Sequence, residues 1–579
     1  MPGRFGWQSS GFSLPAQHPS VLHKSNTIGA SMIRKSLLLA AVASFAFGAA
    51  HAAESKSPID KTEKKADATA TTAPDKGVLF TPESADSEGN VTIGGRTIAY
   101  HAVAGTIIVH PKGWDDTAWR EESSNDLGDK KNAKAEASMF YTAYFAKGAP
   151  SADRPITFLY NGGPGSSTVW LHMGAFGPKR VVTADDSHTP AAPYALVNNE
   201  HSLLDVSDLV FIDAPGTGFS RIAGKDKEKA FFGIDADAYA FDQFIKGFLS
   251  KYGRWNSPKY LFGESYGTPR SAVLINDLTT DDNIDFNGVI LLSQILDFSL
   301  FAGLQGANPG NVEGYVTQLP TMAASAWYHN RVAGGRPPAL EPFLKEVEHF
   351  ASTDYASALA QGNEIDPALK QRIAEKMAGY TGLPAAYILK ADLRIDGPTF
   401  SKQLQDANGL TTGRLDTRFS GADMDPLSKD ADYDPQSAAL SSAYISAFNA
   451  YVRKDLHFGQ DEVFKPSIDV FGPWDWSHAA PGQPALKMVG SSVLPDLATA
   501  MKYNPQLKVM SAGGYYDLAT PYYQGWYEMH HLPIPASLQQ NIEYHYYESG
   551  HMVYAHADSA RKLHDDVAGF IRRTDNLGG

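Results

Sequence analysis

The amino-acid sequence predicts an α/β fold with a mainly parallel central sheet. Three observations lead to that class. Short, nearly continuous apolar runs at Ile156–Tyr160 and residues 209–213 read as strands buried on both faces. A helical stripe follows them, with Phe241, Phe244, Ile245, Phe248, Leu249 and Tyr252 recurring at i, i+3, i+4 and i+7. Strand and helix signals then alternate, as a parallel sheet with crossover helices requires.

The elements follow in chain order. Residues 32–52 hold a positive start (Arg34, Lys35), a short apolar run and an Ala50-His51-Ala52 end. That is the pattern of a secretory signal, with Met32 as the start and cleavage after Ala52. The run is shorter than the roughly 20 residues of a membrane span. Residues 53–78 are small and charged, and read as a flexible linker. Residues 91–97, 106–110 and 138–145 alternate and carry β-branched or aromatic side chains, so they read as strands. Gly253 stops the striped helix. A strand at 260–262, a helix running through Leu278 and a strand at 289–292 come next. Strands return at 507–511 and Ile542–Tyr547. A last helix, 559–572, places Leu563, Val567, Phe570 and Ile571 on one face. Between these parts, 297–500 reads as a largely helical insertion over one end of the sheet, with helices at 342–350, 367–380 and 437–452. Residues 458–476 lead back to the core. The expected plan is therefore 1–52 upstream extension and signal, 53–78 linker, 79–296 first core part, 297–500 helical cap and 501–579 second core part.

Composition narrows the chemistry. The 579 residues include no cysteine, which excludes disulfides, thiolate nucleophiles and cysteine-ligated metals. The formal charge is −14, and −18 for the 527 residues after Ala52. A nucleic-acid binder normally carries a basic footprint, so no nucleic-acid partner is expected.

Gly263-Glu264-Ser265-Tyr266-Gly267 matches G-x-S-x-G, directly after one expected strand and before a helix. Such a turn exposes the serine at its tip as a nucleophile. A serine hydroxyl needs a base to take its proton, and histidine suits that task near neutrality. Among 18 histidines, His551 is best placed, just beyond the last strand. His545 lies inside that strand, and His172, His478 and His556 occupy ordinary loop or helix positions. His530 and His531 are sequence neighbours and point apart on a helix, so no metal is expected. The orienting acid should also follow a strand. Asp517 and Asp213 both do, and the order serine, acid, histidine of α/β-hydrolases selects Asp517. Asp213 then reads as a brace for the 215–218 turn. A tetrahedral intermediate needs backbone donors. Tyr266 N–H, next to the serine, is one. The glycine-rich run Asn161-Gly162-Gly163-Pro164-Gly165-Ser166-Ser167 can provide the other. It lacks the Gly-Lys-Ser/Thr ending of a phosphate loop.

Together these stretches resemble the serine carboxypeptidase family. The resemblance rests on residues 161–167, Asp213-Ala214-Pro215-Gly216-Thr217-Gly218-Phe219-Ser220, residues 263–267, residues 514–517 with Pro521, and Gly550-His551-Met552-Val553. It implies an α/β-hydrolase fold and a hydrolase that removes C-terminal residues from peptides, without a cofactor. It makes Ser265 the nucleophile, His551 the base and Asp517 the orienting acid. It places the oxyanion between the N–H groups of Gly163 and Tyr266. Asn161 and Glu264 then match residues that bind the substrate's terminal carboxylate. Glu264 could do so only while protonated, because two carboxylates repel. One departure stands out: a glutamate of that network falls on Ala175, and Arg180 or Arg270 are the candidates to replace it. Ser166 likewise stands where the family motif has cysteine. An esterase or acyltransferase using the same three residues is the alternative reading. An inactive binding protein on the same scaffold is a third.

Overall fold

The computed structural model describes residues 79–114, 133–148, 154–300, 309–490 and 492–577. The expected signal, its Met32 start and the 53–78 linker lie outside the described residues.

The central sheet contains Ser84–Ile93 (β1), Arg96–Val109 (β2), Glu136–Ala146 (β3), Ile156–Tyr160 (β4), Asp208–Ile212 (β5), Lys259–Glu264 (β6), Gly288–Leu292 (β7), Lys508–Gly514 (β8) and Ile542–Tyr547 (β9). Their order is β1-β2-β3-β5-β4-β6-β7-β8-β9, and the short strand Arg221–Ala223 also pairs with β3. β1, β2 and β3 pair antiparallel, and β3 runs antiparallel to β5. From β5 to β9 every pairing is parallel. This is the mostly parallel sheet of an α/β-hydrolase. The chain reverses direction across the sheet between β4 and β5, and such switch points open a crevice at the strands' carboxyl ends.

One expected strand is corrected. Residues 91–97 are not a single strand: β1 ends at Ile93, β2 begins at Arg96, and Ile93 faces Arg96 across a hairpin. Gly94 and Gly95 form the turn at φ 53° and 77°. Two residues of positive φ match the twist of paired strands. Apolar alternation continues on both sides of so tight a turn, so periodicity alone does not reveal it.

Side chains alternate between the two faces of the sheet. Phe158, Leu261 and Val289 join one core, whereas Leu159, Phe262 and Ile290 join the other. The first core is covered by Ile234–Tyr252 (α1) and Gly267–Thr280 (α2). On α1, the striped residues Phe241, Phe244, Ile245, Phe248 and Leu249 are all buried. Each such side chain contributes about 1.5–3 kcal/mol by leaving water. The helix ends at Gly253, whose φ of 64° lets its N–H reach Leu249 O.

Region 297–500 contributes to more than one place. Glu313–Tyr328 (α3), Leu340–Phe350 (α4) and Pro367–Thr381 (α5) pack around Leu319, Phe343, Val347 and Met377, in a cluster that includes Tyr515 and Tyr522. Pro435–Lys454 (α6) instead lays Tyr444 and Phe448 on the second sheet core. Leu494–Tyr503 (α7) lays Leu497 and Met501 on the first. Tyr522–His530 (α8) follows β8, and Ala557–Thr574 (α9) closes the second core with Leu563, Val567 and Phe570. Residues 465–475 run beside the glycine-rich loop after β4. Ser167 N–H donates to Pro466 O at 3.0 Å and Ile468 N–H to Gly165 O at 2.8 Å. Among the described residues no helix is long and apolar enough to cross a membrane.

Candidate active site

The loops that carry the candidate residues leave the carboxyl ends of β4, β6, β8 and β9. Ser265 follows β6 directly and sits at φ 61°. Left-handed backbone of this kind costs a non-glycine residue about 1–3 kcal/mol and is concentrated at functional sites. Its neighbours make the sharp turn possible. A Cβ on Gly263 would fall 2.2 Å from Gly267 O, and one on Gly267 would fall 2.9 Å from Tyr160 O. Ser265 N–H donates to Leu292 O at 3.0 Å, which ties the turn to β7.

The glycine-rich loop lies against this turn. A Cβ on Gly162 would come within 2.2 Å of Tyr266 N, so no larger residue allows the approach. Asn161 Oδ1 accepts the Leu171 N–H at 3.0 Å. Arg270 on α2 holds the loop from beneath. Its Nη1 donates to Asn161 O at 2.9 Å, and its Nε pairs with buried Asp237 at 2.6 Å.

His551 and Asp517 meet from the ends of β9 and β8. His551 Nδ1 lies 2.7 Å from Asp517 Oδ2. An ionised carboxylate only accepts, so Nδ1 carries the proton and Nε2 is free to act as a base. Asp517 is fully buried. Its Oδ1 accepts the N–H groups of Ala519 and Thr520 at 2.8 and 3.0 Å, and Thr520 Oγ1 donates to Oδ2 at 2.8 Å. Burial depresses the His551 pKa, but the Asp517 carboxylate outweighs it and the net shift is upward. Ser293 Oγ donates to His551 O at 2.7 Å. Among the described residues no hydrogen bond joins Ser265 Oγ to His551, and such bonds commonly tighten only when substrate is bound.

A segment from region 297–500 secures both loops. Leu518 N–H donates to Arg414 O at 3.0 Å, and Thr417 N–H to Tyr516 O at 3.0 Å. On the other side, His551 N–H donates to Leu415 O at 2.7 Å and Gly550 N–H to Asp416 Oδ2 at 3.1 Å. Asp416 is itself paired with Arg418 at 2.6 Å, both buried.

Glu264 is buried beside these groups, and Tyr554 Oη donates to its Oε2 at 2.9 Å. Burial pushes its pKa up to about 7, against the opposing pulls of His551, Tyr554 and Asn161. Ala175 is buried in the helical turn Leu171–Phe176. Neither arginine suggested as a substitute for the missing glutamate lines the cleft. Arg270 is occupied by Asp237 and Asn161, and Arg180 lies on the strand Lys179–Val181.

The remaining candidates lie elsewhere. Asp213 Oδ1 accepts the Thr168 N–H at 2.7 Å, and a Cβ on Gly218 would strike Asp213 Oδ2. Burial raises its pKa to about 7. His172 is a core histidine bonded to Tyr144 Oη at 2.7 Å, and burial lowers its pKa to about 3. His478 bridges Asp235 of α1 and Asp496 of α7. Burial opposes its charge, but the two carboxylates raise its pKa to about 9. His545 pairs with Glu543 and Asp566, and His556 with Ser559. His530 and His531 donate to the carbonyls of Trp526 and Tyr527.

Ser265, Glu264, Asn161, Gly163 and His551 line one cleft of about 210 Å³. Its far wall comes from region 297–500: Arg414, Leu415, Gln436, Ser437, Leu440 and Ser441. The sequence points to this region for part of the pocket wall but names none of these residues, nor Thr520, Ser293 or Tyr554. An acid three residues before a hydroxyl is a local signal for Thr520. The others depend on long-range packing and leave no local mark.

Residues 129–299 match the family model of the serine carboxypeptidases. A carboxypeptidase Y homolog of Arthroderma benhamiae is 31% identical over 140 residues, covering 24% of this chain and 26% of that protein. A serine carboxypeptidase of Caenorhabditis elegans is 25% identical over 181 residues, 29% of this chain and 33% of that protein. A serine carboxypeptidase-like protein of Arabidopsis thaliana is 28% identical over 180 residues, 29% of this chain and 35% of that protein. The chain thus spans between a quarter and roughly a third of the length of these curated relatives. The family match contains the glycine-rich loop, the Asp213 turn and the Ser265 turn. It ends before Asp517 and His551, for which geometry is the independent support.

Proposed function

We propose that the protein is a serine carboxypeptidase that releases C-terminal residues from peptides through an acyl-enzyme. The observation that carries this reading is the His551–Asp517 contact of 2.7 Å at a cleft shared with the strained Ser265. In this mechanism His551 Nε2 takes the Ser265 proton as Oγ attacks the scissile carbonyl. Asp517 holds the ring by Nδ1 and stabilises its charge. The N–H groups of Gly163 and Tyr266 receive the oxyanion. Collapse breaks the C–N bond, and His551 passes its proton to the departing amine. Water, activated by His551, then frees Ser265. Glu264, neutral at pH below about 7, and Asn161 meet the terminal carboxylate. The family match and the named relatives support the reaction class.

The test compares an N-blocked peptide acid with its C-terminal amide. The acid is hydrolysed at least about tenfold more efficiently, as expected when a charge-assisted contact is lost. Equal cleavage of the amide, or cleavage at internal bonds, would contradict exopeptidase action. The second reading, an esterase or acyltransferase, is favoured by Ala175, which removes one acid from the expected carboxylate network. It predicts rapid hydrolysis of small acyl esters and negligible turnover of peptides. The proposal includes secretion, with the periplasm as the destination, and rests there on the signal pattern of residues 32–52. N-terminal sequencing of the processed protein, starting at Ala53, checks it.

A further inference from the structure

The cleft contains a positive charge and a buried amide that the mechanism does not use. Arg414 lines the cleft with Ser265 and His551. Its backbone is pinned on both sides: its N–H donates to Asp434 Oδ1 at 2.7 Å and its carbonyl accepts from Leu518. Its guanidinium is different. The residue is exposed, and among the described residues the head makes no hydrogen bond or ion pair. It is near enough to His551 for its charge to oppose protonation of the ring.

Gln436 lines the same wall, one residue into α6. It is fully buried, yet both its Nε2 and Oε1 lack a partner among the described residues. A buried amide left unsatisfied costs free energy, and an incoming carboxylate relieves the share of its Nε2 donor. A free guanidinium on a fixed backbone and an unsatisfied amide lining the same cleft have the chemistry of a carboxylate receptor. Arg270 cannot serve in its place, because it is committed to Asp237 and Asn161.

We propose that Arg414 and Gln436 form the principal subsite for the substrate's C-terminal carboxylate, built by region 297–500 opposite Asn161 and Glu264. The proposal rests on the carboxypeptidase reading. An acidic side chain at the last residue presents the same chemistry, and the choice of ligands separates the two. With a neutral leucine at that position, the only carboxylate is the terminal one.

The experiment uses the full chain and protection of Ser265 from a fluorophosphonate. The protectors are benzyloxycarbonyl-Phe-Leu as free acid and as amide and benzyloxycarbonyl-Phe-Glu as free acid, each measured against a variant's own unprotected labelling rate. In the wild type the acid protects at lower concentration than the amide. Arg414→Gln raises the acid's half-protecting concentration about tenfold or more, the size expected for a lost charged contact, and leaves that of the amide unchanged. Arg414→Lys restores part of the difference, and Gln436→Leu reduces it. Because the Arg414 head is exposed and bonds nothing, its replacement does not threaten the fold. If the acid keeps its full advantage in Arg414→Gln and Gln436→Leu, the subsite is wrong and the carboxypeptidase reading stands. If the Glu-terminated acid responds to Arg414→Gln but the Leu-terminated acid does not, Arg414 reads a side chain and the proposal fails. If wild-type Ser265 is not labelled, both the reading and the subsite fall.

Discussion

Ser265, Asp517 and His551 each stand in a glycine-bearing turn at the end of a strand, and residue type and order alone single them out as the candidate triad. The hydrogen bond of 2.7 Å between His551 and Asp517 brings these two candidates together, beyond the family match, which stops at residue 299. Asp517→Asn keeps the shape but donates where the imidazole needs an acceptor, favouring the wrong tautomer. Turnover should fall by about ten-thousandfold with the fold intact, checked by kcat beside a circular dichroism spectrum. Glu264 makes a second prediction. Its carboxyl, pushed up to about 7 by burial, is neutral below that pH and charged above it. A charged Glu264 repels a substrate carboxylate. His551, raised by Asp517, fails as a base once protonated at low pH. The kcat/KM for peptide acids is therefore bell-shaped, with limbs that belong to the interacting pair. Glu264→Gln should remove the alkaline limb for peptide acids, measured across about pH 5–9. An unchanged alkaline limb would place that titration elsewhere. Arg414 and Gln436 were not legible in this way. Nothing in their local sequence marks them, and they reach the cleft only through the packing of α6 and the segment beside it.

Among the elements, the apolar runs of β4 and β9 and the striped helix α1 are readable because a single period governs each. The β1–β2 hairpin is not, since its Gly94-Gly95 turn leaves the alternation unbroken. The segment 414–417 is harder still: it has no regular period and is defined only by its partners. It bonds the Asp517 loop on one side and the His551 loop on the other. Asp416 is its fixed point. Asp416→Ala removes the acceptor of Gly550 N–H and leaves buried Arg418 with Asp185 at 4.0 Å as its remaining carboxylate. Breaking a buried pair from one side costs about 3–5 kcal/mol. The loss should appear as a lower urea midpoint, and Asp416→Asn should lose less than Asp416→Ala. Equal stability of all three proteins would show that the segment carries no such load.

For the whole molecule, region 297–500 is a working part of the fold rather than a covering alone. α3, α4 and α5 pack together with Tyr515 and Tyr522, α6 and α7 seal opposite faces of the sheet, and the wall of the cleft opposite Ser265 comes from the same region. The α/β class was legible because alternating strands and helices leave few ways to build one sheet. The role of the long middle region was not, because its helices carry apolar faces without naming what those faces meet. The central claim, removal of residues from a peptide's C-terminus by Ser265, is tested most directly by mass spectrometry of one unblocked heptapeptide acid over time. The account predicts a ladder of peptides shortened one residue at a time from the C-terminus, and no change with Ser265→Ala. Internal fragments, shortening from the amino end, or an equal ladder with Ser265→Ala would contradict it.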